Sequence, residues 1–157
     1  GVVEIGPITA AFKVAGDKAF SVGSFMIGGA GQGDGACPNF PCSGDPSYST
    51  MVTPEQFRKK YTFLAPVDYD TNYADVLVPD GATVTIDGVA VTAGEAVVAG
   101  WKLARVPLVG GSTGGAHKLE STAPVGLQVM GFGHASSYYY PGGLNLKIIS
   151  EPPVVVR

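Results

Sequence analysis

The chain reads as an all-β protein, an antiparallel β-sandwich of jelly-roll type, and three observations predict it. Apolar runs are short and each is closed by Gly, Pro or Asp-Gly: Phe20 to Ile27, Tyr61 to Ala65, Ala74 to Val78, Thr83 to Val91, Lys102 to Leu108, Val125 to Phe132 and Leu144 to Ile149. Glycine and proline are abundant, 23 and 12 in 157 residues, which supplies the turns that such a fold needs. Side chains also alternate inward and outward with period two in several runs, the signature of a half-buried strand.

Taken in chain order, Val2-Val3-Glu4-Ile5 reads as a first strand. The turn-rich segment from Gly28 to Ser47 contains the two cysteines, Cys37 and Cys42, around Pro-Asn-Phe-Pro. A local disulfide between them is the preferred reading, closing a small loop by restricting the unfolded chain by roughly 2 kcal/mol. Zinc requires four ligands, and two cysteines with two distant histidines offer neither standard spacing. Free thiols are the third alternative and would belong to a reducing compartment.

Thr53-Pro54-Glu55-Gln56 carries helix-start chemistry, with Thr as N-cap and Pro at the first position. Phe57 and Tyr61 follow at i, i+4 spacing, so one short helix of about two turns is expected near residues 54–60. Asp87-Gly88 marks a two-residue hairpin whose turn requires positive φ. In its register Ile86 opposes Val89 and Val84 opposes Val91. All four apolar side chains then fall on one face, with Thr83, Thr85 and Thr92 on the other.

Val125, Leu127 and Val129 face one way, and Met130 and Phe132 the other, as in a central strand covered on both sides. Leu144, Leu146 and Ile148 alternate with Asn145 and Lys147 and read as a last half-buried strand. Residues 1–151 are expected to form one sandwich domain of a longer chain. Residues 152–157 read as a linker or terminal strand. Apolar ends of this kind invite pairing with a neighbouring domain or copy.

Composition excludes several classes. A hydrophobic fraction of 45% with 15% charged residues is that of a folded chain, not a disordered one. The net charge is −3 and the basic cluster Arg58-Lys59-Lys60 is isolated, so no extended surface for nucleic acid exists. No apolar run approaches the roughly 18 residues of a membrane-spanning helix.

Several motifs with apparent chemistry fail mechanically. Gly110-Gly111-Ser112-Thr113-Gly114 spells a nucleophile elbow, but that motif requires a strand-to-helix turn, and Ala116 to Ser121 is strand-like. No Asp follows Ser112, so a triad in that order would need Glu120 and His134. Asp68, Asp70 and Asn72 place oxygens at alternate positions, as in a calcium loop. Tyr73 and Pro79 occupy the positions of the required Gly and Glu, which excludes an EF-hand. A calcium site on a β-loop, assisted by Asp45 or Asp80, stays open beside a plain solvated turn. No other cofactor is called for. His117 and His134 read as structural or surface residues, and Trp101 as a core or rim aromatic. Tyr138, Tyr139 and Tyr140, beside Pro141-Gly142-Gly143, read either as loop anchors or as a stacking platform for a sugar or a protein.

Phe20-Ser21-Val22-Gly23-Ser24-Phe25, the Cys37/Cys42 loop, Tyr61-Thr62-Phe63-Leu64-Ala65-Pro66, Asn72-Tyr73-Ala74-Asp75-Val76 and Ala82-Thr83-Val84-Thr85-Ile86-Asp87-Gly88 together resemble the IgG-Fc-binding protein N-terminal domain family. Gly126 to Gly133 and Tyr140-Pro141-Gly142-Gly143 extend the likeness. It covers most of the chain and is similar to the C-terminal half of the family's domain in secreted or surface proteins of bacteria. The resemblance implies an extracellular or cell-surface, non-enzymatic binding or adhesion module contacting another protein, a matrix or itself. No Fc-contacting motif transfers residue by residue. Two other functions stay in view. One is a carbohydrate-binding module using the Tyr platform, with or without calcium; the other is a serine hydrolase built on Ser112 and His117.

Overall fold

The structure, a computed structural model, describes residues 1–28, 43–92, 94–108 and 115–146. Its strands are β1 (Gly23–Phe25), β2 (Tyr48–Thr50), β3 (Arg58–Ala65), β4 (Thr71–Pro79), β5 (Val84–Ile86), β6 (Val89–Ala90), β7 (Glu95–Val98), β8 (Trp101–Leu108), β9 (Gly115–Gly133) and β10 (Ser136–Pro141). Every pairing among them is antiparallel. The fold is all-β, as its short, turn-bounded apolar runs require.

The 19-residue β9 organises the molecule because it belongs to two layers. Its first half pairs with β3 on one side and β5 on the other, with β6 beyond β5. Its second half pairs with β10 and β4, and β8 and β7 continue outward from β4. The β3 register shifts between Arg58, opposite Val125, and Lys60, opposite Glu120. Such a bulge bends a strand, and here Pro124, which has no N–H for a ladder, lies within it. The sheets therefore curl into a half-barrel around one core, with Leu119, Val76, Val125 and Val129 fully buried.

Tyr140, on β10, ties that strand to β3. Its hydroxyl accepts the Leu64 N–H (3.0 Å) and donates to the Leu64 carbonyl (2.5 Å), so one side chain makes the rung that a strand would make.

Four sequence expectations are corrected. The helix expected near residues 54–60 is a single 3-10 turn, Pro54–Gln56, and β3 begins at Arg58. The Thr53 hydroxyl turns to Glu55 Oε2 (2.5 Å) instead of capping the backbone. Burial of Tyr61, Phe63 and Ala65 at period two then outweighs the i, i+4 pattern. Residues 2–5 form no strand and are exposed.

The described part of the last expected strand, Leu144 to Leu146, is also irregular. Leu146 adopts φ 51° and stands 82% exposed, so alternation there buries nothing. In the hairpin Ile86 does pair with Val89, with Asp87 at φ 52° and Gly88 at φ 80°, as a turn with two positive φ values demands. Val84 and Ile86 are buried, but Val89 is 70% exposed because the two-residue β6 is an edge beyond the reach of the core. Cys37 and Cys42, Ser112 and residues 147–157 lie outside the described residues.

Candidate functional site

Register assigns each side chain of the β10-β9-β4-β8-β7 sheet to one of two faces, because directly opposed residues share a face. Asn72, Ala74, Val76 and Val78 on β4, Ala104 and Leu108 on β8, Leu127 and Val129 on β9, and Tyr138 and Tyr140 on β10 point inward. The remaining series forms the outer face: Tyr73, Asp75 and Leu77; Trp101, Leu103 and Arg105; Gln128, Met130 and Phe132; Ser137 and Tyr139. The outer face of a two-layer β-protein ordinarily faces water and is polar. Here Tyr73, Leu77, Trp101, Leu103 and Phe132 are half-exposed apolar groups, and Met130 is buried.

Among the described residues two covers fringe this face and stop short of closing it. At one end Phe57 lies over Gly126, whose missing side chain makes room: a Cβ there would meet the ring at 2.5 Å. Phe57 also packs edge-on against Trp101, with centroids 5.7 Å apart. Along the β10 side the β1–β2 ribbon is tied down by Ser49 Oγ donating to Gln128 Oε1 (2.9 Å), and by side-chain hydrogen bonding between Ser24 and Tyr139.

At the other end the described residues Ser43, Thr71, Tyr73, Arg105, Met130 and Phe132 line an open concavity of about 400 Å³. Tyr73 and Phe132 meet edge to face at 6.4 Å. Arg105 is held by a bidentate pair, Nε to Asp75 Oδ1 (2.8 Å) and Nη2 to Asp75 Oδ2 (2.7 Å), and this hydrogen bonding raises the guanidinium pKa. Burial raises the Tyr139 hydroxyl pKa, so that side chain stays neutral at physiological pH. The face therefore carries one internally neutralised ion pair and, at its β7 edge opposite Leu103, the exposed Glu95, amid aromatic and aliphatic surface.

The three tyrosines are not brought together as one platform, since they lie on a strand and alternate. Tyr138 and Tyr140 face inward with centroids 5.9 Å apart. Their hydroxyls are engaged, Tyr138 donating to Asn72 Oδ1 (2.6 Å) and Tyr140 to Leu64. Tyr139 alone joins the outer face.

Asp68 and Asp70 are exposed in the turn before β4, whereas Asn72 is 1% exposed and its oxygen accepts from Tyr138. Asp45 contributes a backbone carbonyl to Ser137, and Asp80 lies in the turn after β4. Among the described residues no group of three or more His, Cys, Asp or Glu is placed to hold a metal ion. Glu120 is ion-paired with Lys60 (2.8 Å) in the first half of β9, and exposed His134 forms a bridge with Ser43 just beyond its other end. His117 is buried on β9, stacks on Phe63, and donates Nδ1–H to Asp87 Oδ2 (2.7 Å).

Sequence reasoning missed the outer face and the His117–Asp87 pair. The signal for the first was present. Tyr73 to Val78 is apolar at successive positions apart from Asp75, the pattern of a strand with both faces covered, as in Val125 to Phe132. The second carried none, because a turn Asp and a strand His 30 residues apart meet only through β5–β9 pairing.

An all-β fold with an aromatic-rich, nearly uncharged sheet face is built as a binding module, the composition being that of interface cores. The chain belongs to the family described as IgGFc binding protein, whose model matches residues 2–131. The match ends within β9, so Tyr138, Tyr139 and Tyr140 lie beyond it. None of the curated proteins and none of the solved structures matches the chain. Among the described residues no helix is long and apolar enough to cross a membrane.

Proposed function

We propose that the chain is a non-enzymatic, extracellular or cell-surface binding module that engages another protein, a matrix component or a copy of itself, and that the contact is made by the outer face of the β10-β9-β4-β8-β7 sheet. One observation carries this reading: Tyr73, Leu77, Trp101 and Leu103 stand half-exposed where the outward side of a sheet should be polar. Contiguous apolar surface rimmed by polar groups marks an interaction site. Membership of a family described by its binding of IgG Fc supports a protein partner. The glycan reading has less behind it, because the hydroxyls of Tyr138 and Tyr140 are used inside the fold.

Surface plasmon resonance of the immobilised protein against IgG Fc and a panel of extracellular matrix proteins tests the proposal. Leu103→Lys should abolish any binding found, while Thr85→Ala, on the other layer, should leave it unchanged. Binding that survives Leu103→Lys would move the contact elsewhere.

A further inference from the structure

Upstream of β1 the chain holds a second uncovered apolar element. In residues 8–14, Ile8, Ala10, Phe12 and Val14 alternate with Thr9, Ala11 and Lys13. That is period two over seven residues, the pattern of a strand with one apolar face. No strand is formed there, and Ile8, Phe12 and Val14 are 42, 53 and 43% exposed. The family match begins at Val2, so this segment is part of the family's domain and not an appendage to it.

We infer that residues 8–14 of one copy dock as an added strand on the outer face of a second copy, joining chains head to tail. The inference rests on the outer face being the docking surface. Three features of the molecule choose this occupant. First, the chain just downstream already lies on that face, with Ser24 of β1 hydrogen-bonded to Tyr139 and Ser49 of β2 to Gln128, while among the described strands β1 pairs only with β2.

Second, charge does not oppose the contact. Arg105 is neutralised by Asp75, Glu95 sits at the β7 edge of the face, and the apolar series from Ile8 to Val14 brings no charge to its centre; Lys13 belongs to the opposite series. Third, size matches. Seven extended residues span roughly 23 Å, and five strands at their usual spacing extend roughly 19 Å from first to last.

A second copy, and not the chain's own segment, is the occupant because the side chains of residues 8–14 stand exposed and, among the described residues, are not seated on their own outer face. Segment and face are different surfaces, so each copy offers one of each, and the contact propagates instead of closing as a symmetric dimer would.

Analytical ultracentrifugation of the full chain over a wide concentration range tests this. The wild type should show concentration-dependent oligomers beyond the dimer. Phe12→Asp, which removes the segment's central anchor, and Leu103→Lys, which spoils the face, should each sediment as folded monomers. Circular dichroism should give both variants the wild-type spectrum. An equimolar mixture should then form a one-to-one heterodimer that grows no further, since only one intact segment and one intact face remain.

A wild type that stays monomeric would overturn the inference, as would variants that associate normally or a mixture that fails to pair. Protection of residues 8–14 from hydrogen exchange in a monomer would overturn it in favour of docking within one chain. The docking face itself would survive that result if Leu103→Lys still abolished binding to an external protein.

Discussion

From Gly115 to Ser121, β9 alternates buried and exposed residues, with His117 and Leu119 inward and Lys118 and Glu120 outward; from Val125 to Gly133 it buries residues on both sides, with only Gln128 and Phe132 half-exposed. One strand thus has two designs. The first half serves a layer with water behind it, as Lys60 and Glu120 pairing across that surface shows. The second half serves a layer with protein behind it, which among the described residues is the Phe57 turn and the β1–β2 ribbon. The lesson is that the binding candidate is found by comparing one strand with itself. The outward series changes there from Lys and Glu to Met and Phe, and it is on this half that the proposed contact rests.

The comparison can be broken in order of expected effect. Leu119→Ala, inward in the first half and fully buried, should destabilise by about 2–5 kcal/mol through lost burial and the cavity left behind. Chemical denaturation measures it. A similar cost for Lys118→Ala would show that the two faces of this half are not distinct.

Gly126→Ala, outward in the second half, should cost about 1–3 kcal/mol because the added methyl must displace the Phe57 ring. Trp101 is the single tryptophan and packs on that ring, so its fluorescence should shift to the red as its shelter opens. An unshifted spectrum would mean that Phe57 is not what covers this end.

Asp87→Asn should cost about 1 kcal/mol at neutral pH and should do so with a defined pH dependence. The hydrogen bond from His117, joined by the Lys118 N–H (2.8 Å) at the other carboxylate oxygen, lowers the Asp87 pKa from its ordinary 3.8. A depressed carboxyl pKa stabilises the fold above the unfolded value and loses that contribution as pH falls through the folded value. Wild type and variant should therefore differ in thermal midpoint at neutral pH and converge in acid. Parallel curves down to low pH would show that the pair contributes nothing through charge.

Glu120→Ala should be the mildest, with a denaturation midpoint close to that of the wild type, because both partners of its ion pair are well exposed and solvent-screened. A larger loss would mean that the first half also lacks a covering layer in the isolated chain.

Much was legible in the chain itself. Short apolar runs closed by glycine and proline fix an all-β fold, since no helix can persist between such breaks. The Asp87-Gly88 register followed from turn geometry, which leaves a two-residue loop one way to pair its strands. The double-sided burial of Val125 to Phe132 was visible because apolar residues at successive strand positions must occupy both faces. Tertiary structure alone decided the rest. Whether Arg58 to Ala65 coils or extends depended on β9 offering a partner edge, so packing at period two overrode a helix-start signal made of local contacts. Leu144 to Leu146 had the right alternation and no sheet to join. The site needed the fold most of all: strand order, which no local pattern encodes, brings Tyr73, Leu103 and Phe132 from three strands onto one surface and sends Tyr139 to the face opposite Tyr138 and Tyr140.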